Sequence, residues 1–171
     1  MVEMLFKLSS RQFDQTARAY SADLYRFAYW LCRDRFVAED LVQETFARAW
    51  KNWDSLENLD AVKSWLFTIL RNEHARLYER KQLDYADEDP QDLDLPSAVQ
   101  AGAHLELEQF VEALPPTYRE PLLLQVLGGY SCSEIAQMLD TTEGAVMTRL
   151  TRARQAMRAD LEANEATRGA L

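Results

Sequence analysis

Thr148, Arg149 and Arg152 stand on the polar face of a helical run whose other face carries Val146, Leu150 and Ala153 at spacings of four and three. A hydroxyl and two guanidinium groups in that pattern bind rather than catalyse. Guanidinium forks hold phosphate oxygens or guanine edges, and a threonine hydroxyl donates or accepts at a base edge. Arg154 and Arg158 carry the charge further along the helix. Upstream, Ser131-x-x-Glu134 is a capping box, in which the hydroxyl accepts from the third backbone N–H and the carboxylate reaches back. Ile135, Met138 and Leu139 then form an apolar stripe at helical spacing. Asp140-Thr141-Thr142 breaks the stripe, and Thr142 can cap the second helix. A short capped helix, a tight turn and a longer basic helix make a helix-turn-helix, whose second helix fits the major groove of duplex DNA. Gly144 and Ala145 are small enough to let the start of that helix approach another backbone, either the first helix or DNA. Asp140 falls where such turns often need a left-handed residue, a conformation that aspartate tolerates less well than glycine.

A second constellation lies on residues 61–81, read as a helix with Val62, Leu66, Ile69, Leu70 and Leu77 as its core stripe and Trp65 at the edge. Lys63, Phe67, Arg71, His74, Tyr78 and Lys81 fall within an arc of about 80° at 100° per residue. Lys and Arg hold phosphates, while an exposed ring can stack on an unpaired base; the alternative is a solvated face with two half-buried rings. No Ser/His/Asp set or glycine-rich phosphate loop accompanies either constellation. Cys32 and Cys132 lie far apart, and His74 and His104 have no partners at ligand spacing, so no metal or cofactor is expected. The cysteines read as small buried residues of a reducing, cytoplasmic protein.

The net charge of −9 over 171 residues looks wrong for a nucleic-acid binder until its distribution is read. From Gln82 to Tyr118 there is no Lys or Arg, and nine acids stand there: Asp84, Asp87, Glu88, Asp89, Asp92, Asp94, Glu106, Glu108 and Glu112. Binding follows the local potential, screened over roughly 8 Å at physiological salt, so an acidic middle need not cancel basic faces elsewhere. No apolar run approaches the ~20 residues needed to span a bilayer, and the first ten residues are too short and acidic for a secretion signal.

The elements that must position these faces are all helical. Residues 11–33 carry Phe13, Ala17, Tyr20, Leu24, Phe27 and Leu31 alternately four and three apart, a seam for packing on another helix. Residues 34–51 bury Val37, Leu41, Val42, Phe46, Ala49 and Trp50, and leave Asp40, Gln43, Glu44, Ala47 and Lys51 outside. Residues 52–60 are a polar loop without regular period. Residues 82–101, acidic and holding Pro90 and Pro96, read as a linker. A helix resumes over 105–114 and Pro115-Pro116 stops it. Thr117-x-x-Glu120 reads as another capping box, followed by the apolar residues Leu122, Leu123, Val126 and Leu127, with Gly128-Gly129 closing the helix. The expectation is an all-α chain: a helical domain over 1–81, the linker 82–101, a helix-turn-helix domain over 102–162, and a fraying tail over 163–171.

Two segments together identify a family. Asp40-Leu41-Val42-Gln43-Glu44-Thr45-Phe46 with Ala49-Trp50, followed by Trp65 through Asn72, resembles region 2 of bacterial sigma factors. Leu114-Pro115-Pro116 through Arg119-Glu120, then residues 131–154, resembles region 4. With no domain between them, the chain looks like an extracytoplasmic-function (ECF) sigma factor. That resemblance implies roles that spacing cannot. Asp40, Gln43 and Glu44 match the surface that binds the clamp helices of the polymerase's largest subunit. The loop 54–59, with Asn58, matches the one that captures a flipped base of the minus-ten element. Lys63, Trp65, Arg71, Asn72, Arg76 and Arg80 match the minus-ten contact region. Thr142, Ala145, Thr148, Arg149 and Arg152 match the reader of the minus-thirty-five element, docked on the polymerase flap. The linker matches a segment threaded through the polymerase, and an anti-sigma factor is an expected partner. The chain departs from the family pattern at Arg76, where Asp is usual, at Met147, where Lys is common, and at Asp140, where Gly is common. A stand-alone helix-turn-helix regulator remains the alternative, separable by a gel shift with and without core polymerase.

Overall fold

The computed structural model describes residues 2–85 and 103–169, with side chains described over 9–79, 108–159 and 161–163. Seven helices follow in order: α1 (Val2–Cys32), α2 (Arg35–Lys51), α3 (Val62–Tyr85), α4 (Ala103–Ala113), α5 (Pro116–Val126), α6 (Cys132–Met138) and α7 (Glu143–Gly169). No strand occurs among the described residues, as the all-helical reading expected. The chain divides into two compact units between residues 93 and 94, inside the stretch read as the linker, most of which lies outside the described residues. The polar residues after Ala159 remain helical through Gly169, consistent with their content of alanine and glutamate.

In the first unit, α1, α2 and α3 pack on one another in all three pairings. The α1–α2 hairpin turns on two residues. Arg33 takes a left-handed φ of 56° and its N–H donates to the Tyr29 carbonyl. Its guanidinium sits over the Tyr29 and Trp30 rings, 5.0 and 4.8 Å from the centroids. Asp34 then caps α2, accepting from the Val37 N–H at 3.0 Å. The core is the seam read from the sequence, Leu24, Phe27 and Leu31, with Leu41, Ala49, Leu66 and Leu70 against it. Thr45 is buried too; its hydroxyl donates to the Leu41 carbonyl at 2.6 Å, which lets a polar side chain sit inside without an unmet hydrogen bond.

Three expectations change in this unit. Phe67, placed by periodicity among exposed rings, is fully buried with its centroid 5.1 Å from that of Phe27. α3 touches both α1 and α2, so its buried arc is wider than one stripe. Trp50, expected inside, is 37% exposed and Phe46 is half-buried. The loop after α2 is not irregular: Trp53–Ser55 and Leu59–Ala61 each form a 3₁₀ turn, and Trp53 is buried against Phe13.

In the second unit α5 and α6 pack on α7. α5 begins at Pro116 with Pro115 as its cap residue, and no side chain caps it. The expected Thr117–Glu120 box therefore does not form: Pro116 takes the first helical position, where its fixed φ is preorganised, and puts Thr117 inside the helix. Arg119 instead caps the preceding helix, donating to the Glu112 and Leu114 carbonyls at the end of α4. Leu124 is fully buried, and Val126 is 68% exposed. Gly129 ends the helix with φ +72°. Cys32 and Cys132 are half-buried rather than buried.

The turn before α7 follows the sequence closely. Ser131 and Glu134 form the reciprocal capping box of α6. At its other end Thr141 N–H donates to the Ala136 carbonyl and Asp140 N–H to Gln137, a Schellman motif with Asp140 at φ 48°. Asp140→Gly is expected to stabilise this unit by about 1 kcal/mol, because the left-handed conformation is unfavourable for a residue with a Cβ. A shift of the urea midpoint to higher concentration at unchanged m-value checks it.

Candidate nucleic-acid interface

On α7, Val146, Leu150 and Ala153 are buried. The opposite face is open and carries Gly144, Thr148, Thr151, Arg152 and Gln155. Thr142 caps the helix, its Oγ1 accepting from the Ala145 N–H at 3.2 Å. Ala145 is half-buried at the start of the helix. Arg149 lies half-buried on one shoulder of the buried stripe. Arg154 lies on the other shoulder, about 140° round the helix, with Nη2 donating to Gln125 Oε1 of α5 at 2.5 Å. Arg154 therefore does not extend the open face, as its place in the basic run suggested. Arg152 stays exposed, but its Nη1 donates to the Tyr118 hydroxyl at 3.2 Å, which steadies the guanidinium from α5. The Thr148 hydroxyl donates to the Gly144 carbonyl at 2.9 Å, leaving its lone pairs and methyl outward. Met147 is 54% exposed and so does not pack within the unit. A Cβ at Gly144 would meet nothing within 4 Å, so its smallness serves no approach to α6. Thr151 went unread, although it stands three residues after Thr148 on the same open face.

In the first unit five of the expected site residues, Asp40, Glu44, Trp65, Asn72 and Arg76, line two grooves along the α2–α3 junction. Asp40, Gln43 and Glu44 are exposed on α2. Asp40 and Glu44 line a groove of about 340 Å³ with Val37, Leu41, Arg48, Glu73, Arg76 and Leu77. Trp65, Asn72 and Arg76 line the second, of about 280 Å³, together with Arg48, Asn52, Ser55, Ile69 and Glu73. Arg76 thus belongs to both grooves, although the resemblance assigned it to minus-ten contact alone. Arg71 is half-buried on α3, and Lys63 Nζ lies 5.9 Å from the centroid of the Phe67 ring. Asn58 is exposed in the loop and its Oδ1 accepts from the Asp60 N–H at 2.9 Å, starting the second 3₁₀ turn. The side chain of Arg80 lies outside the described residues. Tyr78, 59% exposed, is the open ring of the α3 arc.

Glu73 and Arg48 went unread here. Glu73 is buried, and its Oε1 lies 2.6 Å from Arg48 Nε and 3.0 Å from Arg76 Nη1. The signal was present: Glu73 fills the gap in the core stripe between Leu70 and Leu77, so a carboxylate at that register had to go inward and find cations.

Comparison with known proteins agrees with the geometry. The family profile described as Sigma-70 region 2 matches residues 16–83, and that described as Sigma-70, region 4 matches residues 104–157. The chain is 33% identical over 154 residues to the ECF RNA polymerase sigma factor SigM of Bacillus subtilis, covering 85% of this chain and 93% of that one. It is 36% identical over 140 residues to EcfG of Rhodopseudomonas palustris, with coverages of 80% and 77%. Among solved structures, the sigma factor RpoE of Bartonella quintana, in complex with the anti-sigma factor NepR, superposes with a TM-score of 0.74 at 27% identity, over 90% of this chain and 96% of that one. CnrH, in complex with the cytosolic domain of CnrY, gives 0.67 at 25% identity, over 90% of each chain. Helical units of this build, matched by both family profiles and by relatives over most of the chain, place it in the extracytoplasmic-function class of RNA polymerase sigma factors.

Proposed function

We propose that the chain works by binding and positioning alone, in the cytoplasm, with its two units gripping different parts of a promoter while both lean on core polymerase. The open face of α7 reads the minus-thirty-five duplex: Arg149 and Arg152 reach base edges or phosphates, and Thr142, Ala145, Thr148 and Thr151 sit close to the groove. On α3 and its preceding loop, Asn58, Lys63, Trp65, Arg71 and Asn72 hold the melted minus-ten strand, with Arg76 and Arg80 towards phosphates. Asp40, Gln43 and Glu44 meet core polymerase. The complexes of RpoE of Bartonella quintana with the anti-sigma factor NepR and of CnrH with the cytosolic domain of CnrY support an anti-sigma partner for this chain as well.

The observation that carries the reading is the capped helix α7, which leaves hydroxyls and a braced guanidinium on one open face. Run-off transcription with purified core polymerase and mapped start sites tests it. Arg149→Ala is expected to weaken promoter binding roughly 5-fold or more, from the ~1–3 kcal/mol typical of a base-reading arginine, while a pull-down of core polymerase is unchanged. Asp40→Ala or Glu44→Ala is expected to do the reverse, weakening the pull-down first. Equal transcription by wild type and Arg149→Ala overturns the assignment of α7.

A further inference from the structure

Glu73 is the charged side chain that the fold buries among the described residues, and no role is yet attached to it. Its Oε1 serves two cations, Arg48 Nε at 2.6 Å and Arg76 Nη1 at 3.0 Å. Arg48 Nε also lies 3.1 Å from Glu44 Oε1, so it stands at ion-pair distance between two carboxylates without a hydrogen bond to either. The row Glu44–Arg48–Glu73–Arg76 crosses from α2 to α3, and its two ends are open, with side-chain exposures of 51% for Glu44 and 54% for Arg76 against 9% for Glu73. An apolar residue of similar volume at 73 would hold the helices together at least as well, because burying a carboxylate is costly even when it is paired. What a carboxylate adds is a fixed place for two guanidinium groups.

The ends of the row belong to the two surfaces assigned above, Glu44 to the polymerase face and Arg76 to the melted-strand face; the inference rests on that reading. We propose that Glu73 is a positioning residue that makes the two surfaces answer to each other. In the free chain the four charges cancel and Arg76 is held against Glu73. When a cation of the polymerase takes Glu44, Arg48 loses one of its two carboxylates and turns wholly to Glu73. Three charges of net positive sign remain, and the excess appears at the exposed end, Arg76, beside the Trp65–Asn72 groove. Engagement of polymerase thereby frees a guanidinium for a strand phosphate, and the free chain keeps a weaker hold on melted DNA.

The test uses the full chain without polymerase, binding a fork-junction oligonucleotide taken from a mapped promoter, followed by fluorescence anisotropy. Glu44→Gln imitates the engaged state and is expected to tighten binding about 3- to 10-fold. The gain is expected to vanish when Arg76→Gln is present. Glu73→Gln should give a similar gain and leave Glu44→Gln nothing to add. A gain that survives Arg76→Gln is a general charge effect and overturns the proposal, as does no gain at all. Residue 73 is buried, so Glu73→Gln is read only alongside an unchanged thermal midpoint; the Glu44–Arg76 cycle decides the matter without it. A purely structural Glu73 would leave that cycle additive. The polymerase pull-down of Glu44→Gln is a separate arm: no loss there removes Glu44 from the polymerase face, while the cycle in the free chain still tests the row.

Discussion

Trp53→Ala is expected to destabilise the first unit by about 3–5 kcal/mol, the range for emptying a large aromatic site. The indole is 6% exposed. Its ring meets Phe13 edge-on with centroids 5.1 Å apart, and Trp65 at 6.3 Å. Phe13 also meets Phe46 and Trp50 edge-on, so one ring of α1 gathers aromatics from α2 and the turn after it. Truncation leaves a void that these rings cannot close by rotating, since they are held by three different helices, α1, α2 and α3. Urea unfolding of the full chain followed by far-ultraviolet circular dichroism measures the loss. A drop below about 1 kcal/mol would mean that the cluster is loosely packed. The same substitution unpins the loop that carries Asn58, so binding of single-stranded promoter DNA should fall even at temperatures where the unit stays folded.

Phe67→Ala has a comparable expected loss, about 3–5 kcal/mol, for a ring that is fully buried against Phe27. Tyr78→Ala is its counterpart. That ring is 59% exposed, and removing it should change stability by no more than about 0.5 kcal/mol. DNA binding should sort them the other way. If Tyr78 stacks on an unpaired base, its loss weakens holoenzyme binding to a fork-junction probe by roughly 1–3 kcal/mol, whereas Phe67→Ala acts only through folding. Equal effects of both on stability would contradict the burial difference between them.

These two rings show where sequence reading succeeds and where it stops. Both stood in one arc of a helical wheel, and the wheel assumes that a helix has one buried stripe. α3 has two neighbours, so the arc facing α1 is buried as well, a fact of topology that no periodicity within residues 61–81 contains. Features written in a few adjacent residues were legible: the Ser131–Glu134 box, the Thr142 cap and the left-handed Asp140 all formed as read. The Thr117 box was equally local and failed because Pro116 competes for the start of the same helix and wins it by geometry. The open face of α7 was legible at Thr148 and Arg152, while Thr151 and Gln155 went unread and Arg149 and Arg154 lie on its shoulders; the bracing of Arg152 by Tyr118 and of Arg154 by Gln125 was not legible, because those partners lie 34 and 29 residues away. Glu73 sits between the two cases: its inward register could be read, its cations could not.

The length of α7 has a practical consequence. It runs for 27 residues, but among the described side chains the last fully buried one is Ala153, and Arg158, Ala159 and Leu161 stand in solvent. The far part of the helix is therefore a handle joined without a hinge to the part proposed to enter the groove. A dye or a spin label attached at Ala159 would tumble and tilt with the reading face while touching nothing that holds the fold, and so would report the angle of docking directly.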